Sequence, residues 1–300
     1  MTIKQSHSNN IQSHSKINPE FLPNPDTAPK DLPPLGPDSI LWQRFGDWRS
    51  MFVALYAATF QATQRDISTA LVRQSNFFDN EVARLIRSAF PIIRTVYEGE
   101  EVGHMIRDYH HDVKGVHDDG SRWHSLSPDN YYWAHATFAA MPFALAGTFM
   151  DPLNDEEKEQ LFQETRTWYS YYGVAEPADA PTSYKEYEAY MNEYITEKLS
   201  KTETVERSRI LRRLDIPRPT PAVPNFIWRP LAPYVARFLV WVNNGLMPEH
   251  MRNVIGWEWT AKDQRRFKLL YTTIRHTFNR LPRKLRMVGI ADRAFTNAGR

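Results

Sequence analysis

The sequence predicts an all-α protein built as a single multi-helix bundle, and three observations support this. Along residues 38–60, apolar side chains recur at helical spacing, as at Leu41, Phe45 and Phe52. Asparagine, serine, threonine and proline residues stand where this and the later apolar-periodic segments begin, as they do at helix N-termini. No convincing run of alternating apolar and polar residues is bounded by turn residues, so strands are expected to be nearly absent.

The helices predicted after residues 38–60 follow one another along the chain. They cover residues 80–97, 101–115, 128–150, 154–171, 183–199, 230–243, 260–279 and 283–295. Asn80 caps the first of these and Gly99 ends it. Residues 118–120, Asp-Asp-Gly, indicate a turn after the second.

One helical domain is expected to span residues 36–300, preceded by a disordered arm at residues 1–35. The arm is polar and rich in proline, with few apolar residues to bury. Residues 217–224 form a proline-rich connector. We interpret this connector as a loop within the domain, because the helices after it are too few for an independent core.

The composition excludes several classes of protein. The 37 Lys and Arg residues nearly balance the 35 Asp and Glu residues, whereas a nucleic-acid binder normally has a strong basic excess. The chain has no cysteine, which excludes disulfides, thiolate zinc sites, iron–sulfur clusters and thioether-linked haem. Glycine is scarce and no glycine-rich phosphate loop is visible, which disfavours a nucleotide enzyme.

Two segments bear on membranes and location. The N-terminus lacks a basic region followed by an apolar one, so no secretory signal is expected and the protein is predicted to be cytoplasmic. Residues 131–150 are long enough to span a bilayer. They contain His135 and Pro142 in an otherwise amphipathic chain, which favours a buried core helix over an integral span. The basic residues from 265 to 286 allow peripheral contact with an anionic membrane, although a solvated face is the commoner explanation.

The predicted helix over residues 101–115 holds the leading candidate for a ligand. At roughly 100° per residue, four apolar side chains share a core-facing stripe: Val102, Ile106, Tyr109 and Val113. His110 lies at the edge of this stripe, with Gly103, Arg107 and Lys114 just beyond it, while His104 and His111 point to solvent. An axial imidazole, an apolar wall and two cations are what a haem and its propionates need, and Gly103 would leave a flat surface for the ring. The commoner explanation is a hydrogen-bonded histidine at the core edge.

The helix over residues 80–97 adds a polar face. Arg84, Arg87, Ser88 and Pro91 share that face, opposite much of the apolar stripe. Pro91 cannot donate to the carbonyl of Arg87 and is expected to kink the helix. The alternative is a solvated face with an incidental proline.

Two further histidines, His104 and His135, are candidate ligands. His135, in the buried helix, needs a partner, either as a second haem contact or, more commonly, in a structural hydrogen bond. Glu101 and His104 have the Glu-x-x-His spacing of di-iron carboxylate proteins, but those need a second copy, which the sequence lacks.

Four segments together resemble the latex-clearing protein (rubber oxygenase) and MpaB-type oxygenase family. They are RLIRS at 84–88, YEGEE at 97–101, IRDYHHDVKG at 106–115 and YWAHATF at 132–138. The resemblance extends loosely from Gly46 to Arg286, and it is nearest to short bacterial members that have no signal peptide.

The resemblance implies a globin-like bundle with a buried pocket for haem b, and iron held by His110 as proximal ligand. It implies that Arg84 and Ser88 occupy the distal arginine and threonine positions near dioxygen, and that Arg107 and Lys114 match basic positions around the ligand. The implied reaction is cleavage by dioxygen of a carbon–carbon double bond in an apolar, isoprenoid-like chain. The alternatives are a non-enzymatic haem- or lipid-binding module, or a helical scaffold that has lost the haem.

The sequence departs from the family pattern at two distal positions. Rubber oxygenase has a lysine just before its distal threonine, and that lysine can cap the iron. Here Arg87 occupies the position, and arginine stays protonated and is a poor ligand. We therefore expect a distal position that is open or bound to water. Ser88 keeps the hydroxyl of the threonine, and the missing export signal disfavours an extracellular polymer as substrate.

Overall fold

A computed structural model describes residues 17–26, 28–29, 31–79, 81–208, 216, 218 and 223–300. Its helices confirm the all-α class. They are α1 (Ile40–Phe45), α2 (Ala54–Ala62), α3 (Arg65–Gln74), α4 (Glu81–Glu98), α5 (Glu100–Asp108), α6 (Pro128–Leu145), α7 (Asp155–Ser170), α8 (Tyr184–Glu197), α9 (Glu203–Arg207), α10 (Asn225–Leu246), α11 (Glu249–Ile255), α12 (Ala261–Phe278), α13 (Arg283–Arg286) and α14 (Gly289–Asn297). Short 3-10 helices cover Pro19–Phe21, Trp48–Val53 and Phe77–Asp79.

Helices with strong local signals begin and end close to their predicted bounds. Helix α7 begins with a capping box, in which the Asn154 side chain and the Glu157 side chain satisfy each other's backbone N–H groups. Helix α12 begins in the same way at Thr260. Helix α4 ends at Gly99, which has a positive φ of 79°, while the predicted cap Asn80 lies outside the described residues.

The single helix predicted over residues 38–60 is wrong, because three helical pieces replace it. Helix α1 stops at Phe45, the 3-10 helix Trp48–Val53 follows, and α2 begins at Ala54. The break lies at Asp47, whose carboxylate accepts hydrogen bonds from the backbone N–H and the guanidinium of Arg49. A side chain that bonds its own neighbouring backbone competes with helix formation.

The helix predicted over residues 101–115 is also too long. Helix α5 ends at Asp108, and residues 114–116 form strand β1 (Lys114–Val116), which pairs antiparallel with β2 (Arg122–His124). The predicted turn at residues 118–120 joins these two strands. This hairpin is the one sheet in the described part of the chain.

Helix α6 lies at the centre of the core. It packs on α1, α2 and α7, and Trp133 and Ala136 on it are almost fully buried. The Trp133 ring stacks on Tyr194 of α8, with ring centroids 3.8 Å apart. The predicted buried helix is therefore confirmed, although it ends at Leu145. Within the described residues, no helix is long and apolar enough to cross a membrane.

The segment before α1 touches the helical body where it is described. The carbonyl of Phe21 accepts a hydrogen bond from Ala175 N at 2.9 Å, and its ring lies 4.6 Å from that of His124. The division into an arm of residues 1–35 and a domain of residues 36–300 stays a prediction. Residues 1–16 of the arm and most of the 217–224 connector lie outside the described residues.

The basic face of α12 points to solvent. Arg265, Arg266 and Lys268 are exposed, whereas Phe267 is buried in the core. Contact of this face with a membrane surface stays a prediction.

Candidate active site

His110 lies two residues beyond the end of α5, with its ring half-buried. Its Nδ1 is 2.8 Å from the carbonyl oxygen of Ile106, so Nδ1–H donates and Nε2 keeps its lone pair. Among the described residues, no group is hydrogen-bonded to Nε2. Metal-binding histidines commonly have this arrangement, in which a backbone carbonyl fixes the tautomer and leaves the other nitrogen free to bind.

The electrostatic surroundings favour the neutral form of this imidazole. Burial lowers the pKa of His110, and the positive charge of Arg84 lowers it further, while the hydrogen bond with Ile106 opposes both effects. Arg84 stands on α4, which packs directly on α5. A neutral imidazole is the form that binds a metal.

One face of α4 is buried at one end of the helix and open at the other. Arg84, Ser88 and Thr95 follow at i, i+4 and i+11, so they share that face. Thr95 is fully buried and Ile92 is nearly so, but Arg84 and Ser88 are exposed. We call the stretch that carries Arg84 and Ser88 the open face of α4. The exposure of Arg84 and Ser88 agrees with a face that lies opposite much of the apolar stripe, whereas the burial of Thr95 further along that face was not predicted.

The middle of α4 is exposed all round. Residues 86–90 are all exposed, and five consecutive residues cover more than one helical turn. Two of them are large and apolar: Ile86 is 45% exposed and Phe90 is 61% exposed. The helix continues through Pro91 to Glu98. Ile86 and Phe90 lie on the other side of the helix from Arg84 and Ser88, at roughly 100° per residue, so this exposed apolar surface is separate from the open face.

The predicted cations lie at different places around His110. Arg84 is near enough to act on the His110 charge, and it makes no ion pair with a described carboxylate. Arg107 bonds to its neighbour Asp108 at 2.9 Å. Lys114 is exposed on β1 rather than on the helix as predicted, because α5 ends before it. Its Nζ lies 4.0 Å from Asp112. Arg87 is exposed on α4.

Three expectations drawn from the longer helix are corrected. Tyr109 was expected in the core and is 70% exposed, because the helical phase is lost after Asp108. His111 was expected to point to solvent, but its side chain is only 19% exposed, whereas His104 is exposed as predicted. Gly103 offers no platform for a ring, because a Cβ there would overlap the Tyr171 carbonyl. Its role is close packing of α5.

His135 is buried in the core on α6. Its Nε2–H donates to the carbonyl of Thr165 at 3.0 Å, and Nδ1 has no hydrogen-bond partner among the residues that the structure describes. Burial lowers the pKa of His135 to about 3. The aromatic rings of Trp168, Tyr169 and Tyr172 surround it. A role for His135 in binding a cofactor stays a prediction.

The buried His135 predicts a specific loss of stability in acid. In the unfolded chain its pKa is about 6.5, so below that pH the unfolded state takes up a proton that the folded state refuses until about pH 3. The stabilisation is complete above pH 6.5 and is lost as the pH falls, at about 1.4 kcal/mol per pH unit. Urea unfolding at pH 6 and pH 5 measures it.

The matched variant is His135→Gln, whose amide can still donate to Thr165 but does not titrate. The wild type is expected to lose about 1.4 kcal/mol more than this variant over that unit of pH. Parallel losses in the two proteins would show that His135 accepts a proton in the folded state.

Tyr131 is a site residue that the sequence analysis did not single out. It lies on α6 with its ring edge-on to His110, at a centroid distance of 6.0 Å. Its hydroxyl is buried without a hydrogen-bond partner in the described part of the chain. Tyr131 and Tyr172 separate His110 from His135. The spacing of Tyr131 four residues before His135 places both on one helix face, which is the signal that points to it.

The site fits a haem b by its donor chemistry. One imidazole with a free Nε2 supplies the single protein ligand that such a group requires, and the ring of Tyr131 supplies apolar surface beside it. No group of three or more His, Cys, Asp or Glu residues in the described ranges is placed to hold a bare metal ion. A haem brings four ligands of its own and does not need such a group.

Comparison with known proteins places the chain in a family. A family model described as "ER-bound oxygenase mpaB/B'/Rubber oxygenase, catalytic domain" matches residues 42–276. No curated protein and no solved structure matches the chain significantly. The matched range contains His110, the open face of α4 and the whole of α6. The chain belongs to the MpaB and rubber oxygenase catalytic-domain family, and it is an oxygenase and hence an oxidoreductase.

Proposed function

We propose that the protein is a haem b-dependent oxygenase that uses dioxygen to cleave a carbon–carbon double bond of an isoprenoid-like or other apolar substrate. The supporting observation is His110, a half-buried neutral imidazole with Nδ1 bonded to Ile106 and Nε2 free. Family membership supports the oxygenase activity. His110 would be the proximal ligand of the haem iron.

The haem, when bound, supplies the iron centre at which dioxygen is activated. The overall reaction balances without an external reductant, because one alkene and one dioxygen give two carbonyl groups. The residues of this chain contribute binding, orientation and charge.

Arg84 and Ser88 would act as hydrogen-bond donors on the reacting side of the site. A guanidinium fixed near developing negative charge lowers the barrier, because its charge is in place before the reaction starts. The Ser88 hydroxyl lies on the same face of α4 as Arg84 and adds a second donor. Arg87, always protonated, adds positive charge but cannot bind iron.

Arg107 and Lys114 are the proposed partners of the haem propionates, and His135 is the remaining candidate for a further contact. Arg107 has donors beyond the one bonded to Asp108, since a guanidinium has five. Lys114 is exposed, so it can move to meet an anionic group.

The apolar substrate would be held mainly by burial of its apolar surface. Burial of apolar surface contributes about 25 cal/mol per Å², and it discriminates poorly between chains of similar shape. The proposal therefore specifies an apolar alkene and not one compound. Squalene and shorter isoprenoid alkenes are the first substrates to test.

Arg84→Ala tests the catalytic part of the proposal. The variant is expected to keep its haem but to consume oxygen about 10²- to 10³-fold more slowly with an isoprenoid alkene, as when a preorganised donor is removed elsewhere. Oxygen uptake and carbonyl products are measured on the haem-loaded proteins.

Arg94→Ala is the control, because Arg94 stands on the same helix but is paired with Glu98 at the surface. It is expected to retain wild-type turnover. Full turnover by Arg84→Ala would remove the catalytic role of Arg84, and loss of haem from that variant would reassign the residue to haem binding.

A further inference from the structure

A buried polar cluster beside the hairpin contains none of the residues that the proposed reaction uses. Asp66 of α3 accepts a hydrogen bond from Nε2–H of His117, in the hairpin, at 2.7 Å. Its second oxygen accepts from Nδ2 of Asn130, on α6, at 2.8 Å. The amide of Gln64 donates to the Asn130 oxygen at 3.1 Å. This cluster, Gln64, Asp66, His117 and Asn130, joins three separate elements of the fold.

The cluster is enclosed and its hydrogen bonds are made. The side chain of His117 is 6% exposed and that of Asp66 is 23% exposed, and both Asp66 oxygens have partners. Placing a carboxylate in such surroundings is costly unless it is fully bonded. A fully satisfied buried network makes the position of each member specific.

The hairpin depends on this cluster for its position. Each strand has three residues, and an isolated two-stranded hairpin is marginally stable at best. Two other contacts with α3 are exposed ion pairs, Arg65 with Asp119 and Arg73 with Asp118. Exposed pairs of this kind contribute about 0–1 kcal/mol each. Arg73 and Gln74 of α3 also donate to carbonyls of the first strand, and Trp123 of the second strand is buried. The bond between His117 and Asp66 is the enclosed ion pair among these contacts.

The two ends of the hairpin meet at the backbone of His110. The His110 carbonyl accepts hydrogen bonds from Val113 N at 3.1 Å and from the Ser125 hydroxyl at 2.7 Å. Ser125 N in turn donates to the Val113 carbonyl at 2.9 Å. The second strand is held to α6, because the Asn130 side chain also donates to the carbonyl of His124, the residue before Ser125. Asp66 is thus connected to the His110 carbonyl through hydrogen bonds of Asn130 and Ser125 and the peptide bond that joins His124 to Ser125.

From this connection we infer that Asp66 and His117 are positioning residues for His110. His110 is outside helix α5, so helical hydrogen bonding does not fix its backbone carbonyl; the hairpin ends do. A ligand held within about 0.5 Å needs a supporting shell of this kind. The inference rests on the proposed function, since it concerns how firmly His110 would hold the haem iron.

Asp66→Asn is the first test, because His117 and Asn130 donate to different oxygens of Asp66 and the amide nitrogen that replaces one of them cannot accept. The measurement is the rate at which the haem-loaded protein loses haem to an excess of a haem-free acceptor globin. Changes to supporting partners of a ligand typically alter affinity 10- to 100-fold, so we expect haem loss to be at least about 10-fold faster. The iron–histidine stretching band of the ferrous protein should also broaden or shift.

Asp119→Asn is the matched control, because it breaks an exposed ion pair between the same hairpin and the same helix. Its haem loss should stay within about twofold of the wild type. Thermal unfolding of the variants separates loss of positioning from loss of folding. If Asp66→Asn does not fold, His117→Gln replaces it with the same expected result.

Two results would overturn the inference. Equal haem loss from Asp66→Asn and Asp119→Asn, with an unchanged iron–histidine band, would remove the positioning role and leave the proposed function intact. A wild-type protein that takes up no haem would overturn the proposed function and this inference with it.

Discussion

Haem is expected to be absent from a His110→Gly variant purified from haem-supplied cells, and added imidazole is expected to restore it. Glycine removes the only protein ligand that the proposal gives the iron and leaves space for a free imidazole. The measurement is the Soret absorption band, with and without imidazole, compared with that of the wild type. The imidazole arm separates loss of the ligand from loss of the fold, because a misfolded variant would not be rescued.

His104→Ala is the control for this experiment. His104 stands on α5, six residues before His110, but its side chain is exposed, so its removal should leave the Soret band unchanged. A wild-type band that survives unaltered in His110→Gly would reject His110 as the ligand. Absence of the band from every variant and from the wild type would reject haem dependence itself.

The helix predicted around His110 is too long, although the ring of His110 lies at the edge of the core as expected. A helical wheel over residues 101–115 predicted it at the edge of the core, and its ring is half-buried. The helix ends at Asp108, so the same wheel failed for Tyr109 and Lys114. The position of His110 comes from Ser125 and other hairpin residues, far enough along the chain that no local spacing could reveal them.

Local chemistry determined which helix bounds were predictable. The capping residues Asn154 and Thr260 mark their helices within a few positions, and the apolar run of α6 is long enough to be unambiguous. The break at Asp47 was not predictable, because it depends on partners as distant as Asn279 and Arg286. Tertiary contacts of this kind override helical periodicity.

The open face of α4 shows a second limit of sequence patterns. The spacing of Arg84 and Ser88 correctly places them on one side of the helix. It did not indicate that the same side is buried further along the helix, at Thr95. The neighbouring elements decide which part of a helix faces the core. The face is exposed at Arg84 and Ser88, partly buried at Pro91 and buried at Thr95. The proposed function places a bound ligand at its exposed polar part.

A second large effect is expected from Arg49→Met, which should destabilise the protein by about 3–5 kcal/mol. Arg49 is buried and forms a two-pronged ion pair with Asp47, with both distances 2.8 Å. Its third nitrogen donates to the carbonyl of Phe149 and the side chain of Asn279. Methionine fills much of the volume but leaves the Asp47 carboxylate, 1% exposed, with Arg286 as its remaining cationic partner. Urea unfolding at neutral pH measures the loss.

Arg65→Met is the matched control, because Arg65 forms an ion pair of similar length with Asp119 at the surface. Its expected cost is below about 1 kcal/mol, since water solvates the Asp119 carboxylate that the variant leaves unpaired. If the uncompensated carboxylate causes the large effect, adding Asp47→Asn to Arg49→Met should recover part of the lost stability, because the neutral amide is less costly to bury. A double variant less stable than Arg49→Met alone would instead assign the effect to the lost hydrogen bonds that join residues 47–49 to Phe149 and Asn279.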